Sequence, residues 1–149
     1  MATYKGVNRT HADTATSSGS HILDPGVQKG KVMQIQDTYE ASGIAVGSLI
    51  EMGVKLPKGA RVVEVTLMTD ALGAGRTLAV GDAEDPDRYI TATTCNTANL
   101  VTRLNAIDGR FYEIDETDED NTDRQILITV AGGAATGTIT LMVEYVWAN

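Results

Sequence analysis

One cysteine, two histidines, one phenylalanine and one tryptophan are all that 149 residues contain of those types. The single thiol, Cys95, excludes an intrachain disulfide and any zinc site built from several cysteines. With no histidine or second cysteine near it in sequence, it reads as a buried or idle thiol. Both histidines, His11 and His21, fall within residues 1–30, so the predicted strands offer none to a metal-dependent jelly-roll cavity of the cupin kind. No Ser-His-Asp set, pair of buried carboxylates or glycine-rich cofactor fingerprint can be assembled, so no catalytic residue, metal ligand or cofactor is predicted and the chain is not expected to be an enzyme.

Long apolar runs are missing as well. Nothing approaches the ~20 residues of a membrane span, and MATYKGVNRTHAD lacks the apolar segment of a signal peptide, so a soluble protein with no membrane partner is expected. Positive charge is scarce: 12 basic against 20 acidic residues give a net charge of −8. Residues 1–30 hold Lys5, Arg9 and Lys29 against Asp13 and Asp24, which leaves the remainder more acidic still. Direct nucleic-acid binding needs a basic stripe to neutralise phosphates, and none is visible. An acidic surface instead favours solubility and approach to basic patches on other proteins.

What the chain does have is alternation. In Arg61–Asp82, Val63, Val65 and Leu67 alternate with Glu64 and Thr66; after Asp70–Arg76, Leu78 and Val80 resume with Ala79 between them. A strand, a hairpin-like turn and a second strand are predicted. Upstream, Met33 and Ile35 start a strand running to Thr38, and Ile44, Val46, Ser48 and Ile50 form the next after a turn at Ala41-Ser42-Gly43. Gly53–Gly59 is a connection cornered by Pro57. Downstream come strands at Arg88–Thr93, Arg110–Asp115, Ile126–Val130 and Thr138–Trp147. In the last of these, Ile139, Leu141, Val143, Tyr145 and Trp147 share the core face. Residues 94–109 read as a long loop with one helical turn at Leu100–Leu104.

Eight short strands with no long helix predict an all-β protein: an antiparallel, jelly-roll-like β-sandwich over residues 31–149. An immunoglobulin-like sandwich is the alternative, without its Cys…Trp…Cys signature. Residues 1–30, rich in Thr, Ser, Ala and Gly, predict an extended N-terminal arm. Its isolated apolar residues Tyr4, Val7, Ile22, Leu23 and Val27 are the candidates for docking on a neighbouring surface.

Other patterns point to little chemistry. Leu72–Thr77 (LGAGRT) lacks the first glycine and the lysine of a phosphate-binding loop and precedes a strand where that motif opens a helix. Two acidic turns, 82–87 and 115–123, hold ten of the 20 acids, but their spacing does not match a calcium loop, so solvated turns that keep strand ends apart are expected. Of seven aromatics, Tyr145 and Trp147 fall on the core face, which weakens a sugar-stacking platform.

The run KVMQIQDTYEASGIAVGSLIEMGVKLPKGARVVEVTLMTDALGAGRTLAVGDAEDPDRYITA, then VTRLNAIDG and ATGTITLMVEYVW, resembles small structural proteins of tailed-bacteriophage virions over most of residues 31–147. KLPKGARVVEV and TLAVGDAEDPDRYI carry it best. The resemblance is to jelly-roll head decoration, or cement, proteins. It implies a homo-oligomer, trimer or dimer, on the capsid exterior of the virion, with the major capsid protein as partner and no catalysis. It supplies no functional residue, because such families have no catalytic motif. Another virion component, a head-fibre base or tail protein, and a carbohydrate-binding jelly roll are the alternatives.

Overall fold

The computed structural model describes residues 2–6, 32–115 and 124–147. Among them nine strands form: β1 (Thr3–Lys5), β2 (Val32–Ile44), β3 (Leu49–Met52), β4 (Arg61–Thr69), β5 (Thr77–Gly81), β6 (Ile90–Thr94), β7 (Leu100–Arg103), β8 (Ile126–Ala131) and β9 (Ala135–Val146). The only helical piece among the described residues is a 3-10 turn at Ile107–Gly109. No helix among them is long and apolar enough to cross a membrane.

Two sheets result, of strand order β1-β3-β8-β5-β6 and β2-β9-β4-β7. From β2 onward every connection except β5–β6 carries the chain from one sheet to the other. That interleaving of two four-stranded sheets is a jelly roll, as expected, with β1 added parallel to β3 at one edge. The inner faces meet through Ile50, Met52, Val62, Val65, Leu67, Leu78, Val80, Ile90, Ile128, Val130, Ile139, Leu141 and Val143, all buried. Burying such side chains, at ~1.5–3 kcal/mol each, is what drives the two sheets together. Tyr145 is buried and Trp147 packs on the core while its Nε1 donates to the Lys58 carbonyl at 2.9 Å, which places the last strand's apolar row as read from the sequence.

Several local expectations are corrected. β4 and β5 do not pair with each other: β4 lies between β9 and β7, and β5 between β8 and β6, so Asp70–Arg76 is a corner between sheets. Ala41-Ser42-Gly43 is no turn. β2 runs through it with a bulge between Ser42 and Ile44, where Gly43 takes φ +66° and donates its N–H to Thr136 Oγ1 at 3.0 Å. The chain turns instead at Gly47, so Val46 points to solvent and the next strand begins only at Leu49. In β4 a bulge between Val62 and Glu64 shifts the phase, so Val62, and not Val63, joins Val65 and Leu67 in the core. The eighth strand of the jelly roll is Leu100–Arg103, paired to β4, where a helical turn was expected. Arg110–Asp115 forms no strand and makes a single bridge, Arg61 to Glu113.

Candidate interaction surfaces

Among the described residues no group of three or more His, Cys, Asp or Glu side chains is placed to hold a metal ion. Cys95 is buried, and burial pushes its thiol up from the ordinary value of 9.0. A water-sized recess of about 10 Å³ lies beside Ile35, Asp37, Met52 and Gly53. A wider groove of about 220 Å³ opens on the outside of the β2-β9-β4-β7 sheet between Met68, Asp70, Asn99, Val101 and Thr140. Neither brings together a nucleophile, a base and an oxyanion donor.

Of the residues proposed to dock an N-terminal arm, Tyr4 alone falls within the described residues; Val7, Ile22, Leu23 and Val27 lie outside them. Tyr4 sits on β1 and its ring meets Tyr39 of the same chain at 6.0 Å between centroids, tilted by 57°. Burial, and then the neighbouring Tyr4, raise the Tyr39 hydroxyl above its ordinary 10.0. Gly6 donates its N–H to the Glu51 carbonyl at 2.8 Å and lies so close to Asp37 that a Cβ there would stand 2.2 Å from Oδ2. The buried Asp37 carboxylate accepts from the Gly53 and Thr38 amides, each at 2.8 Å. The start of the chain is thus stitched to its own body.

The first acidic turn is solvated at Glu84 and Asp87, as expected, but not at Asp82. Asp82 is wholly buried and accepts from Arg88 Nε at 2.5 Å and from the Glu84 and Asp85 amides at 3.0 and 2.9 Å. The guanidinium, 12% exposed, also reaches Glu84 at 3.5 Å and lies 3.9 Å over the Tyr112 ring. A cation is therefore already in place at this turn, and it belongs to the protein. Of the second turn only Asp115 is described.

Loop 104–115 is the surface that sequence reasoning missed. It is fastened to the body at both ends: the Leu104 amide donates to the Val65 carbonyl at 2.8 Å and the Ile114 amide to Ala60 at 2.8 Å. Leu104 and Ile114 are buried, whereas Ile107 and Phe111 are 88% and 61% exposed. In a strand Ile107 and Phe111, four residues apart, would share one face, so the local pattern carried no sign that both stand exposed. Across the sandwich, the outer face of the four-stranded sheet carries Gln34, Gln36, Thr38 and Glu40 on β2 beside Met142, Thr140 and Thr138 on β9. Thr38 and Thr140 share a hydrogen bond at 3.1 Å and Thr138 donates to Glu40 at 2.8 Å.

No protein-family model and no curated protein matches the chain. Solved structures do. A chain of the cyanophage Pam1 capsid asymmetric unit superposes with a TM-score of 0.66 at 26% identity, over 87% of this chain and 95% of that one. A chain from the capsid of Ralstonia phage GP4 gives 0.63 at 27%, over 82% of this chain and 88% of that one. The acid-stable capsid of Helicobacter pylori bacteriophage KHP30 contains a chain with the same fold, at 0.54 and 13% identity, over 82% and 92%. The chain is therefore similar to phage capsid proteins in fold and, for the first two, in sequence, which supports a structural role in the virion.

Proposed function

We propose that this chain is a decoration protein of a phage head, bound to the capsid exterior, where it bridges and stabilises major capsid protein subunits. The observation that carries the reading is the coverage: 95% of the Pam1 capsid chain and 88% of the GP4 chain are matched, so the likeness is to whole capsid chains and not to one module of a larger enzyme. The body suits the task. Its hydrogen-bonded double sheet is a stiff spacer, and its chemistry lies in outward-facing side chains. Residues 1–30 would serve as the arm that reaches a neighbouring subunit, with Tyr4 as its root on the body and Val7, Ile22, Leu23 and Val27 as contacts further along. Self-association into a trimer or dimer would match the axes of an icosahedral lattice, and many weak contacts repeated over a shell would supply the affinity.

Mass spectrometry of the parent virion tests the location: copies in the hundreds support a shell component, while a handful would refute it in favour of a fibre or tail part. Adding purified protein to undecorated heads tests the action. Heads that melt at higher temperature and resist internal pressure better are expected, and heads that neither bind nor gain stability would sink the proposal.

A further inference from the structure

Among the described residues Ile107 and Phe111 are the two most exposed large apolar side chains, and the backbone holds them there. Between the anchored ends of the loop, the Asn105 and Ala106 amides both donate to the Tyr89 carbonyl, at 3.1 and 3.3 Å, and the Phe111 amide donates to Val62 at 2.8 Å. Gly109, at the centre, is pressed so close to the segment that leads into β6 that a Cβ would lie 2.3 Å from the Arg88 carbonyl. The 3-10 turn is thus clamped down at Gly109 while Ile107 and Phe111 project on either side of it. Leu104 and Ile114 turn inward from the same loop, so exposure of the other two is not a shortage of core space.

Phe111 has a φ of +59°, a conformation natural to glycine and tolerated by asparagine but strained for a bulky aromatic. Backbone convenience would have chosen a different residue. A strained, outward-facing aromatic is instead the mark of a side chain kept for what it touches. The turn that adjoins this loop through Arg88 is acidic. Asp108 lies between Ile107 and Phe111 in sequence, and the turn bearing Glu84, Asp85 and Asp87 is bolted alongside by Arg88, whose guanidinium holds Asp82 and covers Tyr112 of this same loop. Arg110 is the counter-charge nearest in sequence.

We propose that Ile107 and Phe111 form a two-pronged docking surface for a protein partner that offers an apolar recess bordered by lysine or arginine; resting on the virion reading above, that partner is the capsid shell. A second copy of this chain fits less well, because a net charge of −8 opposes an acidic rim meeting its like.

The test uses empty heads assembled from the capsid protein of the same virus and the full-length chain with Ile107→Ser, Phe111→Asn, both together, or Glu84→Gln/Asp85→Asn/Asp87→Asn. Phe111→Asn suits the positive φ, and Phe111→Gly serves as a second variant with the same backbone ease. Val46→Ser and Val101→Ser, at 59% and 58% exposure, remove similar apolar surface elsewhere. Each prong lost should weaken head binding about tenfold, and losing both should abolish it. The rim variant should weaken binding and flatten its salt dependence, while the Val46 and Val101 variants bind as wild type. All variants should melt within a few degrees of the parent. A folded double variant that decorates heads normally overturns the docking surface and leaves the virion reading intact. Failure of the wild-type chain to bind heads overturns both. Self-association or glycan binding by the wild type that disappears with Phe111→Asn would assign the surface to the wrong partner here.

Discussion

Replacing Arg88 by methionine keeps the aliphatic stem and removes the charge, which leaves the wholly buried Asp82 carboxylate with only the Glu84 and Asp85 amides as donors. Breaking a buried pair by deleting one member costs about 3–5 kcal/mol. The two remaining amide bonds, worth about 1.5–3 kcal/mol each to a charged acceptor, hold the loss towards the lower end. Losing the stack on Tyr112 adds about 0.5–1 kcal/mol. A net loss of about 3 kcal/mol is expected, which for a domain of this size lowers Tm by roughly 6–12 °C. Burial works against the Arg88 charge, but the hydrogen bond and charge of Asp82 raise its pKa overall, so pH cannot switch the pair off from that side. The assay is a double-mutant cycle by urea denaturation, with Asp82→Asn, Arg88→Met and the pair. The double variant should lose about 2 kcal/mol less than the sum of the singles. A single Arg88→Met loss below about 0.5 kcal/mol, the scale of an exposed ion pair, or a coupling near zero would refute the reasoning.

Thr66 is buried between Met142 and Arg103, and its Oγ1 has no hydrogen-bond partner among the described residues, so Thr66→Val should stabilise by about 1 kcal/mol, read as a higher urea midpoint. Gly132→Ala should cost upwards of about 2 kcal/mol by thermal melting, because φ is +75° and a Cβ would stand 1.9 Å from the Gly75 carbonyl on the adjoining corner. The Cys95 thiol, raised by burial, should resist a thiol reagent until the protein unfolds. The folded state holds that proton more tightly than the unfolded state does, so stability should be full below about pH 9 and fall as pH rises beyond it; Tyr39 and Tyr145, both raised above 10.0, extend the decline. Cys95→Ala should flatten the first part of that alkaline loss in a pH series of melts.

Strands whose apolar rows alternate without interruption were readable: β5, β8 and β9 fall close to where the period-two pattern put them, because one face of each meets the core. Three kinds of feature escaped that logic. Bulges at Ser42/Ile44 and Val62/Glu64 reset the phase, and a strict alternation count cannot see an inserted residue. β7 is a four-residue edge strand with every other residue half-buried, so Leu100, Val101 and Leu104 matched a helical spacing as well as a strand. The Asp82–Arg88 pair looked like surface charge because burial of an acid depends on a partner six positions away closing over it. Loop 104–115 was hidden for the converse reason: Phe111 was read into a strand and Ile107 into a loop, and nothing local says that Gly109 is pressed against Arg88 and Tyr89 while both side chains stand exposed.

The topology also bears on when such a protein can act. β9 lies between β2 and β4, and its pairing with β2 runs from Val32 opposite Val146 to Ile44 opposite Ala135, so the four-stranded sheet has no centre until nearly the whole chain is present. Pairings between residues so far apart in sequence make for slow closure, since loop entropy is lost before the contacts form. Loop 104–115 depends on that closure twice over, through Val62 and Val65 on β4 and through Tyr89 before β6. The prongs therefore take their outward geometry only in the finished sandwich. On the proposed role, this favours addition of folded protein to a shell already assembled over co-assembly with nascent capsid subunits, because an unfinished chain would present neither the rigid apolar pair nor the acidic rim that Arg88 holds beside it.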